Sequence, residues 1–262
     1  MRGTIAAALI ACAGLAPADG PAPPALRVLT YNIHHGEGTD GKLDLPRVAG
    51  VVKAARPDVV LLQEVDRNTT RTGRVDQAAE LARLTGLHAE FGKAIDLQGG
   101  GYGLAILARL PLKGVKTEPL PGKAGQEARV VMRATVEPGG GWPAVTVLNT
   151  HFQHDDGPTR EAQAAKLNDL FGAAEGALVL GGDLNATPDS PPIRALRKHW
   201  SFATEPGGKG LLTIPAGAPR QQIDYVLYRP AAAFRVVEAR VIDEPVASDH
   251  RPVLAVLERG GR

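Results

Sequence analysis

From Leu26 onward, short apolar runs alternate with amphipathic stretches and are punctuated by Gly and Pro. The runs predict strands at Leu26–Asn32, Val59–Glu64, Leu104–Ala108, Arg129–Val136, Ala144–His151, Ala177–Gly182, Ile223–Tyr228, Phe234–Val241 and Val253–Leu257. Many are apolar at consecutive positions, as strands covered on both faces are. Helical periodicity and capping residues predict helices at Leu45–Ala55 behind Asp44, Gln77–Leu84 ending at Gly86, and Arg160–Ala173 after Thr159. A short helix is expected to begin at Ser190-Pro191. Early crossovers and later hairpin-like pairs, one around Gly139-Gly140-Gly141, argue for mixed sheets.

The first 18 residues carry one Arg, an apolar run from Ile5 to Leu15 and then small residues before a Pro-rich stretch. This reads as a secretory leader, too short to span a bilayer as a mature helix. Residues 1–25 are therefore expected to be a signal peptide or lipoprotein leader, and 26–262 one domain of an exported protein, periplasmic or extracellular. Leu9-Ile10-Ala11-Cys12 resembles a lipobox, so Cys12 is a candidate membrane tether; cleavage after Ala16 or Ala18 competes.

Thirty Lys+Arg against 28 Asp+Glu leave a formal charge of +2, which excludes nucleic-acid binding by bulk charge alone. The single cysteine excludes a disulfide framework and a thiolate zinc cluster. None of the three serines, Ser190, Ser201 and Ser248, lies in a nucleophile elbow.

Four predicted strands end in residues able to hold a metal: Asn32, Glu64, His151, and Asp183 with Asn185. Ser248-Asp249-His250 adds a fifth polar cluster just before an apolar run. Strand ends on a rigid scaffold are where sites concentrate, and five such endings point to one mouth. Asn32, Glu64, Asp183, Asn185 and Asp249 offer oxygen atoms, the donors of hard cations; Mg²⁺ is the expected ion, with Mn²⁺ or Ca²⁺ the alternatives. Such ions commonly share phosphate oxygens, so a phosphate ester is the expected substrate class. Water is the expected nucleophile, with covalent phospho-His or phospho-Asp routes left open.

Thr30-Tyr31-Asn32-Ile33, Leu62-Gln63-Glu64, Gly103-Leu104-Ala105-Ile106-Leu107, Asn149-Thr150-His151, Gly182-Asp183-Leu184-Asn185, Ile223-Asp224-Tyr225 and Ser248-Asp249-His250-Arg251-Pro252 resemble, in order, the endonuclease/exonuclease/phosphatase (DNase I-like) superfamily. The resemblance implies an α/β four-layer sandwich: two mixed β-sheets packed face to face and flanked by helices. It implies that Asn32, Glu64 and Asp249 hold the metal, that Asp183 and Asn185 handle the attacking water and phosphoryl oxygens, and that His250 is oriented by Asp224. His151 would contact the phosphate or assist the leaving group, and Tyr102 and Arg129 are the candidate substrate contacts. The implied activity is metal-dependent hydrolysis of a phosphodiester by an expected monomer. A nucleic acid, a phospholipid and a small phosphodiester all remain candidate substrates, and a noncatalytic binding module is the rival reading.

Leu104 and Ala108 depart from the superfamily's usual Asn and Ser, so a hydrogen bond is expected to be missing there. Gly99-Gly100-Gly101-Tyr102-Gly103 is expected to be a flexible lip carrying Tyr102, because no helix or Lys-Ser/Thr follows it. His34 and His35 are expected near the mouth but peripheral rather than ligands, His154 solvated, and His88 and His199 ordinary surface or core residues. Asp155, Asp156, Arg71 and Arg74 are expected to be solvated charges, with phosphate contact by Arg71 or Arg74 the alternative.

Overall fold

Doubly apolar strands need two cores, and the structure supplies them. It is a computed structural model that describes residues 25–205 and 211–261; most of the expected leader, including Cys12, lies outside these residues. Twelve strands are described: β1 (Ala25–Asn32), β2 (Val59–Arg67), β3 (His88–Leu97), β4 (Gly100–Ala108), β5 (Lys113–Pro119), β6 (Val130–Val136), β7 (Val145–His151), β8 (Ala177–Asp183), β9 (Ser201–Phe202), β10 (Asp224–Arg229), β11 (Phe234–Val241) and β12 (Val253–Arg259). They form two six-stranded mixed sheets, β11-β12-β1-β2-β4-β3 and β5-β6-β7-β8-β10-β9. The pairs β1–β2 and β7–β8 are parallel; the others are antiparallel.

Alternation along each strand assigns its residues to one core or the other. Val28, Leu61 and Ile106 face Met132, Val147 and Val179 between the sheets. Their neighbours Leu29, Leu62 and Leu107 pack outward against Val48, Val52 and Leu81 of α1 (Leu45–Ala55) and α2 (Gln77–Thr85). On the opposite side, Leu148, Leu180 and Leu227 pack against Leu167, Ile193 and Leu196 of α3 (Gly157–Phe171) and α4 (Pro191–Leu196). The result is the expected four-layer sandwich. Leu104 and Ala108 are buried in the middle core, so the expected missing hydrogen bond is replaced by apolar packing.

Three observed strands are absent from the sequence-based expectation. β3 and β5 lie at sheet edges and interleave charges with apolar residues, a pattern that blunts edges and hides the strand signal. β9 has only two residues. The glycine-rich lip is corrected: Gly100–Gly103 lie inside β4, joined to β3 through Gln98 and Gly99, both at positive φ as a two-residue hairpin turn requires. A Cβ at Gly100 would come within 2.3 Å of the Arg67 carbonyl oxygen, and one at Gly103 within 2.1 Å of that of Gly92. These glycines permit close strand packing rather than motion.

α3 starts earlier than expected. Asp156, expected to be a free solvated charge, caps it by accepting from the Thr159 backbone N–H at 2.8 Å and also pairs with Lys123. Asp44 and Asp76 cap α1 and α2 in the same way. No described helix is long and apolar enough to cross a membrane.

Candidate active site

The ends of β1, β2, β7 and β8 and the segment entering β12 meet at one edge of the sandwich, around a cleft of about 770 Å³. Glu64, His151, Asp183, Asn185 and His250 line it, together with Tyr102 and Arg129. Asn32 and Asp224 are buried beneath and reach it through hydrogen bonds.

Glu64 interrupts the β2–β4 ladder. The register shifts between Leu62 and Val65, and Glu64 itself takes a φ of 57°, a left-handed conformation rare for a non-glycine residue. The shift aims its carboxylate into the cleft. There Asn32 Nδ2 donates to Glu64 Oε1 at 2.9 Å and to Asp183 Oδ2 at 3.2 Å, linking an acidic group from each sheet. A second link lies beneath the shifted strand. Asn149 of β7 donates to the carbonyls of Leu62 and Ala105 at 2.8 and 2.9 Å, while its Oδ1 accepts from Gln63 at 2.7 Å.

His250 crosses between the sheets in the same manner. Its Nδ1 is 3.0 Å from Asp224 Oδ2, which also accepts from the Thr213 hydroxyl, and its Nε2 faces Asp183 Oδ2 at 3.7 Å. Burial alone would lower the His250 pKa, but the carboxylates of Asp224, Asp183 and Asp249 outweigh it and raise it to about 10. His250 is thus an imidazolium. Burial, then repulsion from Asp224, pushes Asp183 above the ordinary carboxylate range.

His151 has the opposite character. Burial, then the adjacent Arg129, hold its pKa well below the ordinary value. Arg129 Nη1 lies 2.9 Å from His151 Nδ1 and Asn185 Nδ2 lies 3.0 Å from its Nε2; both are donors, and they meet the one lone pair of a neutral ring. Nε2 also faces Asp183 Oδ2 at 3.5 Å. The Asn185 backbone N–H in turn donates to Asp183 Oδ1 at 2.8 Å. The site thereby holds one neutral and one cationic histidine around a single carboxyl group.

Asp249 is half-buried and does not line the cleft. Its Oδ1 lies 3.3 Å from the Ser248 hydroxyl, which donates to the Asn32 carbonyl at 2.8 Å and accepts from the His250 backbone N–H at 3.2 Å. Asp249 therefore adjoins the site through its neighbours.

Tyr102 and Arg129 line the cleft, and Tyr102 does so from within β4. Burial, then Glu64 and Glu127, push the Tyr102 phenol up, so it remains a donor. Arg129 pairs with Glu127 at 2.7 Å. Arg71, expected to be solvated, is instead held at 2.7 and 2.8 Å by the fully buried carboxylate of Asp66 and stacks over Tyr102 at 5.4 Å. Sequence reasoning missed this pair; Asp66 alternating with Glu64 along β2 was the available signal. His34 and His35, expected to be peripheral, also line the cleft, as does the exposed His154; His88 and His199 lie on the surface.

The donor chemistry fits a hard divalent cation on the Glu64 side. There a carboxylate faces the cleft beside Asn32, while His250 Nδ1 is engaged by Asp224.

This fold and site define a metal-dependent hydrolase of phosphate esters. The chain belongs to the endonuclease/exonuclease/phosphatase family, whose profile matches residues 29–250. No curated protein sequence matches the chain. Among solved structures, an endonuclease/exonuclease/phosphatase from Beutenbergia cavernae is 27% identical over 90% of this chain and 72% of its own, with a TM-score of 0.74. The human Nocturnin catalytic domain with bound sulfate is 20% identical, covering 90% of this chain and 95% of its own, with a TM-score of 0.73. A mannosyl-6-phosphatase from Bacteroides thetaiotaomicron is 18% identical, covering 88% and 99%, with a TM-score of 0.73.

Proposed function

We propose that this protein is an exported, monomeric, Mg²⁺-dependent phosphodiesterase that cleaves a P–O bond by direct attack of water. The observation that carries the reading is the placement of cationic His250, neutral His151 and Asp183 around one point of the cleft floor, beside Glu64. The bound ion would be held by Glu64 with Asn32, Asp249 standing behind them through Ser248, and would supply Lewis-acid stabilisation of charge on the phosphoryl oxygens. Asp183, raised by burial, accepts a proton from the attacking water while Asn185 orients it. His250 donates to a phosphoryl oxygen from Nε2, its charge sustained by Asp224 through Nδ1. His151 stands as a neutral imidazole on the opposite wall.

The cleft's charge favours a diester. Its two guanidinium groups, Arg71 and Arg129, are already paired with Asp66 and Glu127, which leaves little free positive charge for a dianionic monoester.

The test is hydrolysis of bis-(p-nitrophenyl) phosphate and p-nitrophenyl phosphate with Mg²⁺, with His250→Ala as control. EDTA-sensitive turnover of the diester, lost in the variant, supports the reading. Faster turnover of the monoester refutes the diesterase assignment, and silence on both with folded protein revives the binding module.

A second reading, a phospholipid esterase, is favoured over a nuclease by one observation. A groove lined by Leu43, Leu45, Pro46 and Val75 adjoins the cleft across His35, and Leu43 and Val75 are exposed. Preference for a sphingomyelin-type vesicle over single- or double-stranded DNA would support it.

A further inference from the structure

His34 and His35 belong to no step of the mechanism above, yet they project into the same cleft. One ring nitrogen of each and one carboxylate oxygen of Glu64 lie within 4.8 Å of one another. The two rings meet edge to face with centroids 4.6 Å apart.

Their surroundings are those of metal-binding imidazoles. His34 Nδ1 lies 3.2 Å from the Glu37 carbonyl oxygen; a carbonyl only accepts, so Nδ1 carries the proton and Nε2 keeps a free lone pair. A carbonyl behind a histidine is the usual outer partner that fixes a ligand's tautomer. His35 Nδ1 is buried with no hydrogen-bond partner, and its Nε2 has only a loose contact with Glu37 Oε2 at 3.6 Å. The backbone is specialised too. Both histidines take left-handed φ values, 45° and 44°, which cost roughly 1–3 kcal/mol each and persist only where surrounding structure imposes them. Gln77 Nε2 grips the His35 carbonyl at 2.6 Å, and the His34 N–H donates to Asn32 Oδ1 at 3.0 Å. The chain is thus held in the conformation that turns both rings toward Glu64.

We propose that His34, His35 and Glu64 form a binding site for a transition-metal ion at the rim of the cleft, distinct in ligand chemistry from the oxygen-donor site on its floor. Two imidazoles and a carboxylate suit Mn²⁺, Co²⁺, Zn²⁺ or Fe²⁺, while Mg²⁺ prefers oxygen donors throughout. Three donors each about 2.1 Å from one ion lie roughly 3–3.6 Å from one another, so a pair standing as far apart as 4.8 Å closes by about an ångström or more on binding. Three protein ligands leave coordination positions open to the cleft. Glu64 Oε1 remains engaged with Asn32, so the same carboxylate joins the rim site to the floor. The inference rests on the metal-dependent reading of this cleft for its catalytic consequence: a preference for Mn²⁺ or Co²⁺ over Mg²⁺ in turnover.

The experiment reads binding before activity. Metal-stripped full-length protein is titrated with Co²⁺ in the presence of excess Mg²⁺, following the visible absorption of bound Co²⁺ and the metal-induced rise in Tm. Wild type is expected to bind one Co²⁺ with imidazole-type absorption that Mg²⁺ does not displace. The variants His34→Gln and His35→Gln should weaken it at least tenfold, while His154→Gln, which alters another cleft histidine, should leave it unchanged. Should either variant fail to fold by circular dichroism, anomalous diffraction from wild-type crystals soaked in Mn²⁺ locates the ion directly, and density away from His34 and His35 overturns the proposal. Unchanged Co²⁺ absorption in both folded variants also overturns it. Mg²⁺-supported turnover without a Co²⁺ site would reject this inference and leave the phosphodiesterase reading intact. Co²⁺ binding lost in the variants, with no turnover by any ion, would do the reverse.

Discussion

Arg129 places its guanidinium 2.9 Å from His151 Nδ1 and thereby opposes protonation of that imidazole. The arginine comes from the segment entering β6 and the histidine from the end of β7, antiparallel neighbours in one sheet. In Arg129→Gln, His151 loses the guanidinium that disfavours its protonation. A kcat/KM lower by about 10²-fold is expected, from one misplaced donor to the phosphoryl group. The His151 pKa, followed by NMR, should rise toward its ordinary value, and a pKa that stays put would refute the coupling.

Opposite histidine shifts give the metal-free protein a stability maximum. Folded His250 keeps its proton up to about 10 while the unfolded residue loses it near 6.5, so its stabilisation is complete below 6.5 and is lost as pH rises toward 10. Folded His151 stays neutral where the unfolded residue is protonated, so its contribution is lost as pH falls below 6.5. Each limb has a slope of at most about 1.4 kcal/mol per pH unit. Urea denaturation in EDTA should show His250→Gln flattening the alkaline limb and His151→Gln the acidic one.

Asn149→Leu should be costly although the residue touches no substrate. It leaves Gln63 and the carbonyls of Leu62 and Ala105 without their buried partner. Unsatisfied buried groups cost about 1–3 kcal/mol each, so a loss of at least about 3 kcal/mol is expected in chemical denaturation. The KM for diester should change less than kcat, because the Glu64 bulge loses its support.

Gly182→Ala tests the strand that delivers Asp183. A Cβ at this position would lie 2.0 Å from the Thr150 carbonyl oxygen of the neighbouring parallel strand. Backbone cannot yield as a side-chain tip does, so destabilisation of about 1–3 kcal/mol is expected, together with loss of turnover as Asp183 shifts. Full activity with unchanged Tm would show that β7 and β8 separate more easily than their pairing suggests.

Removing the divalent ion should abolish hydrolysis, and Mg²⁺ should restore it. It should also lower Tm, because Glu64 and Asp183 share only the Asn32 amide between them without it. A melt insensitive to Mg²⁺ would place the ion away from these carboxylates.

The central strands were readable because burial on both faces leaves a continuous apolar run such as Val59–Leu62. The edge strands were not, since Lys113–Pro119 reads as polar for the same reason that it resists pairing with another chain. Asn32, Glu64, His151, Asp183, Asn185, Asp224 and His250, singled out by motif order, meet around one cleft. What sequence could not supply was orientation. Nothing in the string distinguishes a neutral His151 from a cationic His250, since that difference arises from Arg129 on one side and Asp224 on the other. Arg71 looked solvated because its buried partner Asp66 lies on a strand whose neighbours already carried the visible signal.

Asn32, Glu64 and His250 are carried by one sheet, and His151, Asp183, Asn185 and Asp224 by the other. Neither half contains both Asp183 and His250. The apolar seam between the sheets is therefore an alignment device, with Asn149 and Gln63 as the pin that sets its register. A slip of an ångström along that seam would disarm the enzyme while leaving each sheet, and every residue of the site, intact.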